Sequence, residues 1–108
     1  MRGFQLTFFT EQSHRHGHVA LCEWLMQEAK SIGASGATLS PSTEGFGRDG
    51  KLRSAHFLET GDQPVEVTMA LSQSQTEALF ERLKREGIEI FYIKSAIEFG
   101  TTGRDDDD

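Results

Sequence analysis

The chain has 108 residues, of which 36% are hydrophobic, enough for one small core and one domain whose remaining burial is readily completed by pairing with copies of itself. Its formal net charge is −6, but four of the acids form the terminal run Asp105 to Asp108, so the body carries only about −2. That balance, with no interleaved basic and aromatic patches, excludes a nucleic-acid footprint. Residues 1–100 are expected to form the single domain and 101–108 a disordered acidic tail. The lone Cys22 excludes an intrachain disulfide framework and suits a reducing compartment. No apolar run approaches about eighteen residues, and Arg2 is followed by a short alternating segment instead of a leader. A cytoplasmic protein without membrane insertion is therefore expected.

Phe4 to Phe9 alternates and is aromatic-rich, which predicts a first strand with Phe4, Leu6 and Phe8 facing the core. After the polar stretch Thr10 to Gly17, the period becomes helical from His18 to Ser31. Val19, Cys22, Met26 and Ala29 form an apolar stripe that Leu21, Leu25 and Ile32 widen, and Gly33 closes the helix. Ala34 to Ser40 predicts a strand of small side chains, closed by Pro41. Ser54 to Glu59 is a candidate third extended segment, with Thr60 to Gln63 as a turn. Val65, Val67, Met69 and Leu71 then alternate with polar or small residues, the clearest strand pattern in the chain. Ser72 or Ser74 caps a helix running to about Glu86, with Ala78, Leu79, Phe80 and Leu83 inward. Gly87 stops it, and Ile88 to Lys94 reads as the last strand, followed by an extended piece with Ile97 and Phe99.

The order β-α-β, loop, β-α-β predicts an α+β, ferredoxin-like βαββαβ sandwich with both helices on one face of an antiparallel sheet. Its other face is left bare. Phe9, Leu58, Phe91 and Ile93 would point that way and need a cover, which a homo-oligomer supplies.

Between the two halves lies Thr43 to Arg53, where three glycines alternate with Phe46 and with charges of both signs. Such a segment can turn sharply, offer backbone N–H groups and reach outward, as a recognition loop does. It can equally be a wide solvated connection. The small-residue strand through Thr38 leads into it, so a cleft there can admit a flat ligand. Thr38 would supply a hydroxyl, Gly45 and Gly47 backbone donors, and Arg48, Lys51 or Arg53 a cation for an anionic group. Glu44, Phe46, Lys51 and Arg53 are the residues that such a loop would show to a partner. The loop follows no parallel strand and opens no helix, and no Gly-Lys-Ser/Thr follows it, so dinucleotide-fold and P-loop readings fail.

A second cluster is His14, His16 and His18, with Cys22 four residues beyond His18 on the expected helix, a spacing that can hold a divalent metal. Arg15 opposes a cation there, and the plain alternative is a solvated loop with Cys22 in the core. His56 reads as a structural or interface residue, and no nucleophile motif accompanies it. Glu77 and Glu81 are patterned as surface salt-bridge partners, so no enzymatic constellation emerges.

Gly36-Ala37-Thr38-Leu39-Ser40 followed by Glu44-Gly45-Phe46-Gly47-Arg48 resembles the stretch that leads the second strand of PII signal transducers into their T-loop. The span from Phe4 to Phe99 is similar to the short PII-like family known as domain of unknown function one-ninety. The exit of the first strand, Gly33 to Thr38, Glu44 to Gly47 and Pro64-Val65 carry this likeness, over about nine tenths of the chain. The resemblance implies a trimer with effector clefts between subunits and a loop that signals to a regulated enzyme or membrane transporter. It implies that Thr38 contacts an adenine nucleotide and that Gly45 and Gly47 lie near its phosphates. Two departures qualify this. The glycine-rich phosphate loop between the second helix and last strand is replaced by Arg85-Glu86-Gly87-Ile88, and the central loop is short, without a tyrosine. An effector smaller or differently held than ATP, or none, is left open. The competing readings are the metal-responsive module and an oligomeric scaffold without ligand.

Overall fold

The computed structural model describes residues 1–42, 44–46, 52–54 and 62–104. Its centre is a four-stranded antiparallel sheet made of β1 (Arg2–Glu11), β4 (Gly36–Pro41), β7 (Pro64–Ser72) and β8 (Phe91–Glu98) in the order β4-β7-β1-β8. Helices α1 (Leu21–Ser31) and α2 (Gln73–Arg85) follow β1 and β7. This is the ferredoxin-like arrangement, extended by two short hairpins, β2 (Arg15–His16) with β3 (Val19–Ala20) and β5 (Glu44–Phe46) with β6 (Leu52–Ser54).

The period-two residues of β1 and β7 make the sheet's core face. Leu6 lies opposite Met69 and Phe8 opposite Val67, and all four side chains are fully or almost fully buried. Phe4 shares that face but is only half-buried. Val65 and Leu71 complete the β7 stripe, against Leu21, Leu25 and Ala29 of α1 and Leu79 and Leu83 of α2. Each such leucine contributes roughly 1.5–3 kcal/mol through burial, so this stripe is the main source of stability.

Both helices end in the same cap. In α1 the Gly33 N–H donates to the Lys30 carbonyl and the Ala34 N–H to Ala29; in α2 the Gly87 N–H donates to Lys84 and the Ile88 N–H to Leu83. Ser72, of the two candidate serines, caps α2, in a reciprocal box with Gln75. Arg82 of α2 donates to Glu28 of α1 at 2.7 Å, tying the helices together on their outer side.

Several boundaries differ from expectation: β1 runs from Arg2 to Glu11 instead of Phe4 to Phe9, β4 begins at Gly36 instead of Ala34 and takes in Pro41, and two further shifts move candidate residues. Helix α1 begins at Leu21, not His18, because Gly17 takes φ 65 and turns the chain into the β2–β3 hairpin, which places His18 and Val19 outside the helix. The last strand begins at Phe91, not Ile88. The α2 cap consumes Ile88, and Ile88 and Ile90 then pack against the core instead of joining the sheet. Of the candidate segment Ser54 to Glu59, Ser54 ends β6 and the rest, with Leu58 and His56, lies outside the described residues. Thr101 and Arg104 are joined by a backbone hydrogen bond in a turn, while 105–108 lie outside the described residues. Among the described residues no helix is long and apolar enough to cross a membrane.

Candidate functional site

The face of the sheet away from the helices is built by the alternate residues. Antiparallel partners share a face, so Thr38, Thr68, Thr7 and Ile93 form one row across all four strands. The Thr7 and Thr68 hydroxyls lie 3.2 Å apart. The neighbouring row runs Ser40, Glu66, Phe9 and Phe91, with the two phenyl rings at 5.4 Å between centroids. The β4 side of this face is thus hydroxyl-rich and acidic, and the β8 side is apolar.

Edge strand β4 feeds directly into the central segment. The Ser42 N–H donates to the Pro64 carbonyl at 2.8 Å, and the Ser42 hydroxyl donates to Glu66 Oε2 at 3.0 Å, fixing the point where the chain leaves the sheet. Two residues on, β5 pairs with β6, with Gly45 opposite Arg53 and Phe46 opposite Leu52. The segment read as a loop is therefore based on a hairpin stem carrying Glu44, Gly45, Phe46 and Arg53. Gly47, Arg48 and Lys51 lie outside the described residues. Thr38 stands on the bare sheet face of the strand that feeds this stem.

The histidine cluster does not converge. His14 Nδ1 faces Thr10 Oγ1 at 3.2 Å, while His16 Nε2 meets Glu86 Oε1 at 2.9 Å and its ring packs edge-on to Trp24 at 5.2 Å. His18 sits at the hairpin turn, where its carbonyl accepts from Arg15 Nη1 at 3.3 Å. Cys22 is buried in the core, which, with the nearby Glu23 charge, pushes its thiol above the ordinary value of 9.0. The expected pairing of His18 with Cys22 on one helix face fails because His18 precedes the helix. Among the described residues no group of three or more His, Cys, Asp or Glu side chains could hold a metal ion. Sequence reasoning missed both partners of His16: no local pattern links it to Glu86, seventy positions away, and its contact with Trp24 depends on the β2–β3 hairpin that the helical reading from His18 did not include.

The model of the family DUF190, described as "Uncharacterized ACR, COG1993", matches residues 3–93. The chain belongs to the DUF190 family. No curated protein matches this DUF190 member. Among solved structures, it is similar to CPII, a nitrogen regulatory PII-like protein from Thiomonas intermedia K12 bound to ADP, AMP and bicarbonate. That likeness has a TM-score of 0.65 at 17% identity and covers 90% of this chain and 87% of that one. A putative PII-like signaling protein from Thermus thermophilus matches with a TM-score of 0.57 at 20% identity, over 90% of this chain and 87% of that one. CPII bound to ADP, AMP and acetate matches with a TM-score of 0.61 at 16% identity, over 93% and 90%. At such identities the likeness establishes the fold alone: the DUF190 chain is a ferredoxin-like sandwich like that of these PII-like structures.

Proposed function

We propose that this DUF190 protein is a non-enzymatic, PII-like regulator of the cytoplasm that assembles as a trimer and takes a small effector, an adenine nucleotide, in a cleft between protomers. Residues 1–100 act as its single domain and 101–108 as an acidic tail. The effector is held by Thr38, Gly45, Gly47 and Arg48. The signal leaves through Glu44, Phe46, Lys51 and Arg53 to a partner protein, a regulated enzyme or a membrane transporter.

The observation that carries this reading is the position of Thr38, on a hydroxyl-rich row of the bare sheet face, in the strand that runs into the β5–β6 stem. A ligand seated there touches both the sheet and the base of the loop. If it binds one loop arrangement more tightly than others, it shifts the loop population by that difference in affinity. The apolar half of the same face, with Phe91 48% and Ile93 50% exposed on edge strand β8, supports burial against another protomer. The ADP and AMP in the CPII structure support an adenylate as the effector.

Calorimetric titration of the purified chain with ADP and AMP tests this, alongside light-scattering mass. A trimer that binds either nucleotide, with affinity lowered about tenfold in Thr38→Val through loss of one hydroxyl contact, is the expected result. A monomer, no heat with either nucleotide, or an unchanged affinity in Thr38→Val would overturn it.

A further inference from the structure

Helix α2 packs over β1 and β7, while the sheet continues past it to β8. The α2 cap at Gly87 and the linker through Ile88 and Ile90 delay the start of β8, and a cleft of about 450 Å³ is left between the end of the helix and the strand. Phe8, fully buried, forms its floor. Phe80 and Tyr92 wall it, with ring centroids 4.9 Å apart and edge to face, and Phe8 lies 6.4 and 6.1 Å from them. Tyr92 remains 44% exposed, so this aromatic surface faces water. The volume falls in the range of small-ligand sites, which run from about 300 to 1,000 Å³.

The polar groups at the mouth say what would fit. Among the described residues, no hydrogen bond or ion pair engages the side chain of Lys84 or the hydroxyl of Tyr92. Glu89, the other charge on the rim, already has an interaction of its own. An ammonium offers donors only and a phenol offers one more, so the complement is an acceptor carrying negative charge. The aromatic floor asks for an apolar body behind it.

We propose that this cleft binds an apolar monocarboxylate, its chain or ring against Phe80 and Tyr92, which Phe8 backs from beneath, and its carboxylate at Lys84 and the Tyr92 hydroxyl. Within one protomer the site is separate from the one around Thr38. It opens on the helix side of the sheet, and β8 and β4 are opposite edges, three strand spacings or roughly 14 Å apart. It does not depend on the nucleotide reading.

The test is a titration of the full, ¹⁵N-labelled chain with decanoate, followed by amide shifts. Saturable shifts at Lys84 and from Ile88 to Tyr92, at one ligand per chain, are expected. Lys84→Gln and Tyr92→Phe should each weaken binding, the former by about tenfold, as loss of a charged contact does. Both positions are exposed enough that the fold should tolerate the change, and Lys30→Gln, on α1, should leave affinity unchanged. Decanol should bind at least tenfold more weakly than decanoate. The proposal is overturned by absence of shifts in the cleft, by equal affinity for decanol, by indifference to Lys84→Gln, or by cleft shifts that follow protein dilution instead of ligand.

Discussion

His16 and Glu86, seventy positions apart in the chain, meet at 2.9 Å between Nε2 and Oε1 and clasp the β2–β3 hairpin to the end of α2. Trp24 closes the other side of the imidazole. The side chains are 27% and 45% exposed, so solvent screens the pair and its coupling should be small. A double-mutant cycle with His16→Ala and Glu86→Gln should return about 0.5 kcal/mol by urea unfolding. His16→Ala should also shift Trp24 emission, whereas Glu86→Gln should shift it less. A coupling indistinguishable from zero together with unchanged emission would show that the clasp does not persist in solution.

Gln75 does two things at once at the start of α2. Its Oε1 accepts the Ser72 N–H at 2.8 Å, closing the capping box, and its Nε2 donates to the Gly33 carbonyl at 2.8 Å, joining the start of α2 to the end of α1. Ser72 contributes one side-chain bond to the box, accepting the Gln75 N–H at 3.2 Å. Ser72→Ala should therefore cost about 1 kcal/mol, and Gln75→Ala more than that. Equal losses in denaturant midpoint would mean that the link to Gly33 contributes nothing to stability.

The legible parts of the fold were those set by neighbours in the chain. Val65, Val67, Met69 and Leu71 share a period that only a half-buried strand satisfies, and Ser72 with Gln75 carries the helix start in its own side chains. Val19 misled because an apolar residue just before a helix fits both the helical stripe and a hairpin, and the backbone of Gly17 decides between them. Ile88 and Ile90 alternate as strand residues do, yet the chain must first complete the α2 cap. For the site, the small-residue strand pointed to Thr38, but the hydroxyl row with Thr68 and Thr7 depends on strand order, which no local pattern encodes. The same holds for the Arg82 to Glu28 bond, since helical spacing suggested only partners within α2.

Gly3 is buried in β1 opposite Ser72, and a β-carbon there would collide with the Leu71 carbonyl oxygen. That neighbour is backbone in a central strand and cannot move without parting β1 from β7. Gly3→Ala should destabilise by about 3 kcal/mol or more. Gly36 provides the contrast, with nothing within 4 Å of its added β-carbon, so Gly36→Ala should be neutral or stabilise by up to about 1 kcal/mol. Thermal unfolding of the two variants side by side checks the pair, and comparable melting temperatures would refute the close approach at Gly3.

Cys22 gives the protein an alkaline limit of calculable sign. Burial, then the Glu23 charge, raises its thiol above the ordinary value of 9.0, against the weaker opposing pull of backbone hydrogen bonds. Above about pH 9 the unfolded chain releases this proton while the folded chain keeps it, so the unfolded state binds fewer protons and stability falls as pH rises. The contribution is fully present below that pH and is lost progressively until the folded thiol itself ionises. The slope from this one group is at most about 1.4 kcal/mol per pH unit. Urea unfolding at pH 8 and pH 10 should show the wild type losing more stability over the interval than Cys22→Ala. The two chains also share every other alkaline group, so their difference isolates the thiol. In the native state at pH 8 an alkylating reagent should modify Cys22 only as fast as the chain opens, and the rate should climb with urea. Rapid modification without denaturant, or parallel losses in the two chains, would place the thiol in water and remove the pH effect.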